Sequence, residues 1–244
     1  MSKRYITRRE AFGVLGAAGA ALVVGCGGSE TPTSPTATTG GTTTGGVTTT
    51  TGGTTTAACA VSPEETVGPY PSLADLIRSD IREGRSGTPV ALTLTVVNVN
   101  SACSPVANAV IDIWQCDAEG HYSQYNQPGY NGTAQTFLRG IQATNSSGQV
   151  TFTTIYPGWY AGRATHIHVE VTVNGRSVKV TQIAFPETTN AEVYRSGVYA
   201  ARGDNPTSNS RDMVFADSLS SELAAVSGSP TGGYTATFTV GISV

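Results

Sequence analysis

Apolar and polar side chains alternate along much of the chain after residue 58. Leu92, Leu94 and Val96, for example, alternate with Thr93 and Thr95. Successive side chains of an extended strand point to opposite faces, so this period of two residues predicts strands with one buried face. The pattern therefore favours a sheet-rich domain over a helical one.

Strand-like runs recur between short turns that contain Gly, Pro or Asn. They occupy residues 92–97, 110–114, 150–155, 165–173, 179–185 and 235–244. The first two runs are separated by a short loop and are predicted to pair as adjacent antiparallel strands. Helix is predicted only in short pieces, at residues 73–77, 191–194 and 218–226. Many strands without long helices indicate a sandwich or a barrel. We expect an all-β fold with an antiparallel β-sandwich core, short helices and long loops.

Length and charge narrow the class of protein. The 244 residues, 39% of them hydrophobic, fit one globular domain with appendages. Charged residues make up 13% of the chain, the net charge is −3, and no cluster of Lys or Arg lies beyond the first nine positions. The chain therefore lacks the basic surface of a nucleic-acid-binding protein, and a small molecule is the expected partner.

Residues 1–25 predict an export signal rather than part of the fold. Thr7–Phe12 contains the pair Arg8 and Arg9 ahead of an Ala- and Gly-rich apolar stretch, which is the layout of a Tat signal. The stretch ends in Leu22–Cys26, which resembles a bacterial lipobox, where Cys26 is diacylated. A plain signal peptide followed by a chance Cys is the alternative. We expect an exported bacterial protein that is lipid-anchored on the extracytoplasmic face of the membrane.

Residues 26–58 predict a flexible tether. They are almost entirely Thr, Gly, Ser, Pro and Ala, without periodic apolar positions, and cannot form a core. A Gly-rich chain of about 30 residues has a root-mean-square reach of roughly 30 Å. Residues 59–244 are then left as the globular domain, long enough for a sizeable core.

The chain has four Cys. With Cys26 assigned to the lipid, Cys59, Cys103 and Cys116 remain in an oxidising compartment. An odd number leaves one thiol free or paired between chains. We expect one disulfide, which joins Cys103 to either Cys59 or Cys116.

Two of the three His residues form the motif His166-Ile167-His168. Residues i and i+2 of a strand point to the same face, so the two imidazoles can bind one metal ion. Just upstream, the turn-rich segment 156–163 brings the Tyr160 hydroxyl and the Arg163 guanidinium back towards the pair. A ferric ion favours anionic oxygen donors and ionises a coordinated phenol, while neutral imidazoles complete a mixed shell.

A second motif, residues 112–123, continues from a strand into a Gly turn and presents Tyr122. Together, the runs Pro-Gly-Trp-Tyr, Gly-Arg and His-Ile-His, with Trp-Gln-Cys-Asp-Ala further upstream, resemble the signature of the intradiol ring-cleavage dioxygenases. The resemblance spans roughly residues 59–244, the expected catalytic domain. It implies Fe(III) as the cofactor, with the ligands Tyr122, Tyr160, His166 and His168.

The same resemblance implies roles for further residues. Arg163 matches an arginine whose charge lies beside the substrate, and Gln182 matches a glutamine on the O₂ side of the site. Tyr160 is also expected to act as a base towards the substrate. Substrate-binding residues implied by the Gly-Pro-Tyr segment are Gly68, Pro69 and Tyr70, together with Arg163.

The resemblance implies an oxidoreductase that cleaves a catechol-type ring with O₂ and gives a muconate-type diacid. Its partners would be a small aromatic diol, O₂ and the membrane surface, and the protein would be a monomer or a homodimer. Catechol, protocatechuate and hydroxyquinol all remain open as the substrate.

Two other functions compete with this interpretation. A zinc hydrolase could use His121, His166 and His168 with a bound water, since three His ligands are common in catalytic zinc sites. A cupin-type Fe(II) site is disfavoured, because the positions where cupins place a Glu are occupied by Thr172 and Val173. The second competitor is a non-enzymatic binding module displayed on the tether, which would hold no metal.

Overall fold

The computed structural model describes residues 59–244. The export signal, the lipidated Cys26 and the tether all lie outside the described residues and stay predictions. None of the helices within the described range is long and apolar enough to cross a membrane.

Strands account for most of the regular secondary structure in the described domain. They are β1 (Pro89–Asn98), β2 (Ser104–Pro105), β3 (Val110–Trp114), β4 (Asn126–Gln127), β5 (Tyr130–Asn131), β6 (Arg139–Ala143), β7 (Gln149–Ile155), β8 (His166–Val173), β9 (Arg176–Ala184), β10 (Ala225–Ser229) and β11 (Gly233–Ile242). One α-helix, α1, spans Glu187–Tyr194. Short 3₁₀ turns occupy Val99–Ser101, Gly197–Tyr199, Asn209–Arg211 and Leu219–Ser221.

The longer strands form two sheets. The first has the order β10-β11-β1-β2, with β7 also paired to β1, and the second has the order β6-β3-β8-β9. Strands β1 and β11 run parallel, whereas the other pairs are antiparallel. The expected β-sandwich is confirmed, with one parallel pair inside an otherwise antiparallel arrangement.

Both sheets contribute one face to a single hydrophobic core. Leu92, Phe152 and Val240 enter it from the first sheet, and Ile111 and Val169 enter it from the second. The alternation that predicted β1 is also confirmed, because Val90, Leu92, Leu94 and Val96 are buried while the Thr residues between them are only partly covered. Burial of these apolar side chains is the main stabilising term for such a sandwich.

The predicted pairing of residues 92–97 with residues 110–114 is wrong. These segments are β1 and β3, which belong to different sheets. After β1 the chain makes a 3₁₀ turn and then β2 folds back onto the end of β1, so that Val97 faces Pro105. The connection therefore leaves the first sheet before β3 begins, and periodicity along one strand cannot reveal that change of partner.

The predicted helices are only partly correct. Helix α1 contains residues 191–194 but begins at Glu187, and residues 218–226 form a 3₁₀ turn followed by the start of β10. Residues 73–77 are not helical. Their backbone lies beside β6 instead: the Ile141 N–H donates to the Leu76 carbonyl, and the Arg78 N–H donates to the Ile141 carbonyl. Tertiary pairing outweighs local helix propensity in this segment.

The disulfide joins Cys59 to Cys103, which is one of the two pairings expected. It ties the first described residue to the connection between β1 and β2. Cys116 is a buried free thiol, and burial raises its pKa, so it is not poised as a nucleophile.

Candidate metal centre

One transverse row of the second sheet defines the candidate site. Across its four strands, Arg139 faces Trp114, Trp114 faces His168, and His168 faces Gln182. Residues opposite each other on neighbouring strands share one face of a sheet. Because Ile167 enters the sandwich core, this row lies on the other face of the sheet, where loops and the segment before β1 cover it.

The two His side chains meet on that face. His166 and His168 are both buried, and their Nε2 atoms are 3.2 Å apart. The imidazole of His168 stacks on the indole of Trp114, with 4.9 Å between ring centroids and 5° between ring planes. This stacking fixes the orientation of the His168 ring.

Burial keeps both imidazoles neutral. It lowers the pKa of His166 to about 3, and burial together with the neighbouring His166 and Arg163 holds the pKa of His168 well below its usual value. The Nδ1 atom of His166 is 2.6 Å from the Ala164 carbonyl, which can only accept, so Nδ1 carries the proton. The Nε2 lone pair of His166 is therefore available, and a neutral imidazole is the form that binds metals.

Two phenols approach the imidazole pair. Tyr122 is buried in the loop after β3, and its Oη is 3.4 Å from Nε2 of His166. Tyr160 is half-buried, and the centroid of its ring is 5.6 Å from those of both His166 and Tyr122. Burial raises the pKa of both phenols, and a cation bound beside them would favour the ionised form. Two neutral imidazoles and two ionisable phenols suit a hard trivalent ion such as Fe(III).

Arg163 is held by two partners at the edge of this cluster. Its Nε donates to the Asp212 carboxylate, at 2.9 Å and 3.2 Å from the two oxygens, and one terminal nitrogen donates to Oε1 of Gln182 at 2.6 Å. The other terminal nitrogen lies 3.5 Å from Oη of Tyr160. Gln182 in turn donates to the Thr66 carbonyl at 2.8 Å. Nothing in the sequence pattern singled out Asp212.

The segment before β1 forms one wall of the site. Gly68 has a φ of +69°, and a Cβ at this position would lie 2.9 Å from Cε1 of His168. The Tyr70 ring lies 4.9 Å from the Tyr122 ring and 6.1 Å from the Tyr160 ring, measured between centroids. The structure thus brings the predicted substrate-binding segment of Gly68, Pro69 and Tyr70 beside the predicted ligands, while its role in binding stays a prediction.

Arg139 is a fully buried cation that the sequence reasoning did not single out. Its guanidinium donates to Oγ of Ser123 at 2.9 Å, to the Ser123 carbonyl at 2.7 Å and to the Tyr70 carbonyl at 3.0 Å. Although burial lowers the pKa of Arg139 to about 10, the group remains charged at neutral pH. Arg139 therefore links Ser123, the residue after Tyr122, to the segment that contains Tyr70.

His121 does not join the other two His residues. Its ring stacks on Tyr130 at 4.1 Å between centroids, and its Nδ1 lies 3.4 Å from a Glu119 oxygen and 3.8 Å from an Asp117 oxygen. Among the described residues, these three side chains form the one close group of three or more His, Cys, Asp or Glu ligand atoms. The three-His zinc site considered from the sequence is therefore wrong, because the turn after Asp117 directs His121 elsewhere.

Comparisons with known proteins find relatives that are similar in sequence and in fold. A family model described as Dioxygenase matches residues 67–204. The 6-chlorohydroxyquinol 1,2-dioxygenase of Cupriavidus pinatubonensis is 28% identical over 123 residues, and the match covers 43% of this chain and 42% of that protein. The matched part is therefore less than half the length of that relative.

Solved structures show the same fold. An intradiol ring-cleavage dioxygenase from Tetranychus urticae is 32% identical, with a TM-score of 0.69, and the match covers 76% of this chain and 95% of that one. The dioxygenase domain of a carbohydrate-binding fusion protein from Streptomyces sp. SirexAA-E is 28% identical, with a TM-score of 0.56 and coverage of 76% and 99%. Catechol 1,2-dioxygenase from Acinetobacter sp. ADP1, at 20% identity and a TM-score of 0.54 with coverage of 75% and 62%, shows the fold alone.

Replacement of the buried Arg139 by Met should destabilise the domain. The change leaves the Ser123 and Tyr70 carbonyls without their donor, and we expect the free energy of unfolding to fall by about 2–5 kcal/mol. Urea denaturation followed by Trp fluorescence measures the difference. The matched control is Arg82→Met, which breaks an exposed pair with Asp80 and should change stability by less than about 0.5 kcal/mol. Equal midpoints for the two variants would contradict a structural role for Arg139.

Proposed function

This chain belongs to the intradiol ring-cleavage dioxygenase family and is an oxidoreductase, and from that premise we propose that it uses Fe(III) and O₂ to open a catechol-type ring. The product would be a muconate-type diacid. The observation that carries the proposal is the convergence of Tyr122, Tyr160, His166 and His168 on the outer face of the second sheet. Family membership leaves no reason to retain the non-enzymatic binding module.

The substrate is proposed to be a small aromatic diol. The relative from Cupriavidus pinatubonensis is named for 6-chlorohydroxyquinol, a ring with two adjacent hydroxyls. In this chain, Tyr70 offers aromatic surface beside the candidate ligands Tyr122 and Tyr160, and Arg163 offers a cation. These groups suit a flat ring whose oxygens become negatively charged.

The four side chains Tyr122, Tyr160, His166 and His168 would hold the iron. A ferric ion held there supplies Lewis-acid activation of a bound catechol. Tyr160 is the less buried phenol, so its Oη is the oxygen best placed to accept a proton from an incoming substrate hydroxyl. Arg163 would then stabilise the negative charge that remains on substrate oxygen near Tyr160, because one of its terminal nitrogens already lies beside that hydroxyl.

The surrounding residues would orient the reacting groups and keep water out. Gln182 holds one terminal nitrogen of the Arg163 guanidinium, and Trp114 fixes the ring plane of His168. Gly68 lets the backbone pack against the His168 ring, and Tyr70 covers Tyr122. Each of these contacts reduces the freedom of a group that must face the substrate.

We also propose that the protein works outside the cytoplasm on a lipid anchor. The twin arginines, the lipobox-like Leu22–Cys26 and the Thr-rich tether support this proposal from the sequence. The Cys59–Cys103 disulfide supports it from the structure, since such bonds persist in oxidising compartments. A monomer or a homodimer fits this arrangement.

The visible spectrum of the purified protein tests the proposed iron site. Protein loaded with Fe(III) should show a broad visible band from phenolate-to-iron charge transfer, which changes when catechol is added without O₂. Tyr160→Phe should weaken or shift the band, because one phenolate ligand is lost. The matched control is Tyr130→Phe, which removes a phenol hydroxyl that accepts a hydrogen bond from Arg85 and lies outside the group of candidate ligands. This variant should leave the band unchanged. A colourless protein that binds zinc, or that takes up no iron, would count against the proposal.

Replacement of Gly68 by Ala should weaken iron binding specifically. The new methyl group would press on the His168 ring, and disturbed support of a ligand typically costs about 10–100-fold in metal affinity. Competition with a chelator measures that affinity. The matched control is Gly84→Ala, which has a similar φ of +75° but no atom within 4 Å of the new Cβ.

Both Gly variants should lose about 1–2 kcal/mol of stability, because both place a side chain in the left-handed region. Only Gly68→Ala should also lose iron affinity. Equal iron affinity in the two variants would show that Gly68 does not pack against a metal ligand.

A further inference from the structure

Asp212 is a buried carboxylate outside the stretch matched by the family model, which ends at residue 204. Its side chain is fully buried and accepts from Nε of Arg163 at 2.9 Å and 3.2 Å. It also accepts from the Ala164 N–H at 2.5 Å and from the Val214 N–H at 2.8 Å. A carboxylate with this many donors has one fixed orientation, since any rotation would break several hydrogen bonds.

The same carboxylate determines which terminal nitrogen of Arg163 can contact another group. Asp212 takes Nε, and Gln182 takes one terminal nitrogen, so the guanidinium plane is fixed at two of its three nitrogens. The third nitrogen faces Oη of Tyr160 at 3.5 Å. A planar guanidinium fixed at two points cannot turn, and its remaining donors keep one direction.

The loop that carries Asp212 is itself anchored to the sandwich. Asn209 donates to the Phe185 carbonyl just after β9, and its own N–H donates to the Glu187 carboxylate at the start of α1. Phe215 packs with Ala164 and Ala184, and its ring centroid lies 5.9 Å from the Arg163 guanidinium carbon. Asp212 is therefore presented by a braced loop, although that loop has little regular secondary structure.

We propose that Asp212 is a positioning residue for ring cleavage, which holds Arg163 so that the terminal nitrogen beside Tyr160 faces the substrate oxygen. The inference rests on the proposed function and adds a residue from beyond the family match. Asp212 itself touches no reacting atom. It acts through Arg163, so its contribution to the reaction should vanish when Arg163 is removed.

A double-mutant cycle tests this dependence in the full chain. Asp212→Asn loses the charge and one of the two carboxylate oxygens, and we expect kcat/KM for catechol to fall about 10–100-fold while the iron content and the visible band of the resting protein stay at the wild-type level. Arg163→Gln should also lower kcat/KM. The double variant should be no worse than Arg163→Gln alone, because the two residues act as one unit.

A second readout does not depend on turnover. The affinity for catechol without O₂, measured from the change in the visible band, should fall about 10-fold in Asp212→Asn and should not fall further in the double variant relative to Arg163→Gln. The matched control is Asp204→Asn, which breaks an exposed Asp–Arg pair with Arg195 and should leave both readouts unchanged. If Asp212→Asn does not fold, Asp212→Glu carries the test, since it keeps the charge but displaces the guanidinium by one methylene.

The outcomes separate the inference from the proposed function. Wild-type protein without an iron band or without ring cleavage would end the proposed function itself. A wild-type enzyme that cleaves catechol, beside an iron-loaded Asp212 variant with unchanged kcat/KM, would overturn the inference. Losses that add in the double variant would also overturn it, because they would show that Asp212 acts independently of Arg163.

Discussion

The register of β8 between β3 and β9 is the constraint on which the rest of the site depends. It places Trp114, His168 and Gln182 in one row, which the pairing of β3 with β6 extends to Arg139, and the period of two residues then places His166 on the same face. A slip of one residue would turn both imidazoles into the hydrophobic core and bring Ile167 out. The apolar residues Ile167 and Val169 therefore determine, by packing into the sandwich, which way the His side chains point.

This arrangement places the polar side chains of the site on the outer face of a sheet, where other segments must shield them from solvent. The segment that contains Gly68 and Tyr70, the loop that contains Tyr122, and the turn that contains Tyr160 supply that cover. Arg139 links the first two of these by hydrogen bonds, and Gln182 links the first to Arg163. The resulting burial keeps the imidazoles neutral and holds the phenols close to them. The possible metal ligands are therefore grouped outside the sandwich core.

The sequence predicted those features of the fold and the site that depend on local period and on distinctive residue types. Alternation in residues 92–97 and 165–173 predicted strands, and the His-X-His motif with the nearby Tyr160 and Arg163 predicted a shared site. The pairing of β1 with β11 rather than β3, the extended path of residues 73–77 and the braced loop around Asp212 depend on contacts far apart in the chain. Neither the period of a segment nor its composition specifies such contacts. His121 shows the same limit, since its residue type suggested a third ligand but the turn after Asp117 points it away.

The location of iron in the folded protein is the most direct test of the proposed metal site. Crystals of the iron-loaded protein are measured on both sides of the iron absorption edge. An anomalous peak that is strong above the edge and weak below it identifies the metal as iron, and the position of the peak locates it. The proposed site predicts one iron peak that lies between Oη of Tyr122, Oη of Tyr160 and the Nε2 atoms of His166 and His168. A map with its iron peak at Asp117, Glu119 and His121, or with no iron bound to the His pair, would contradict it.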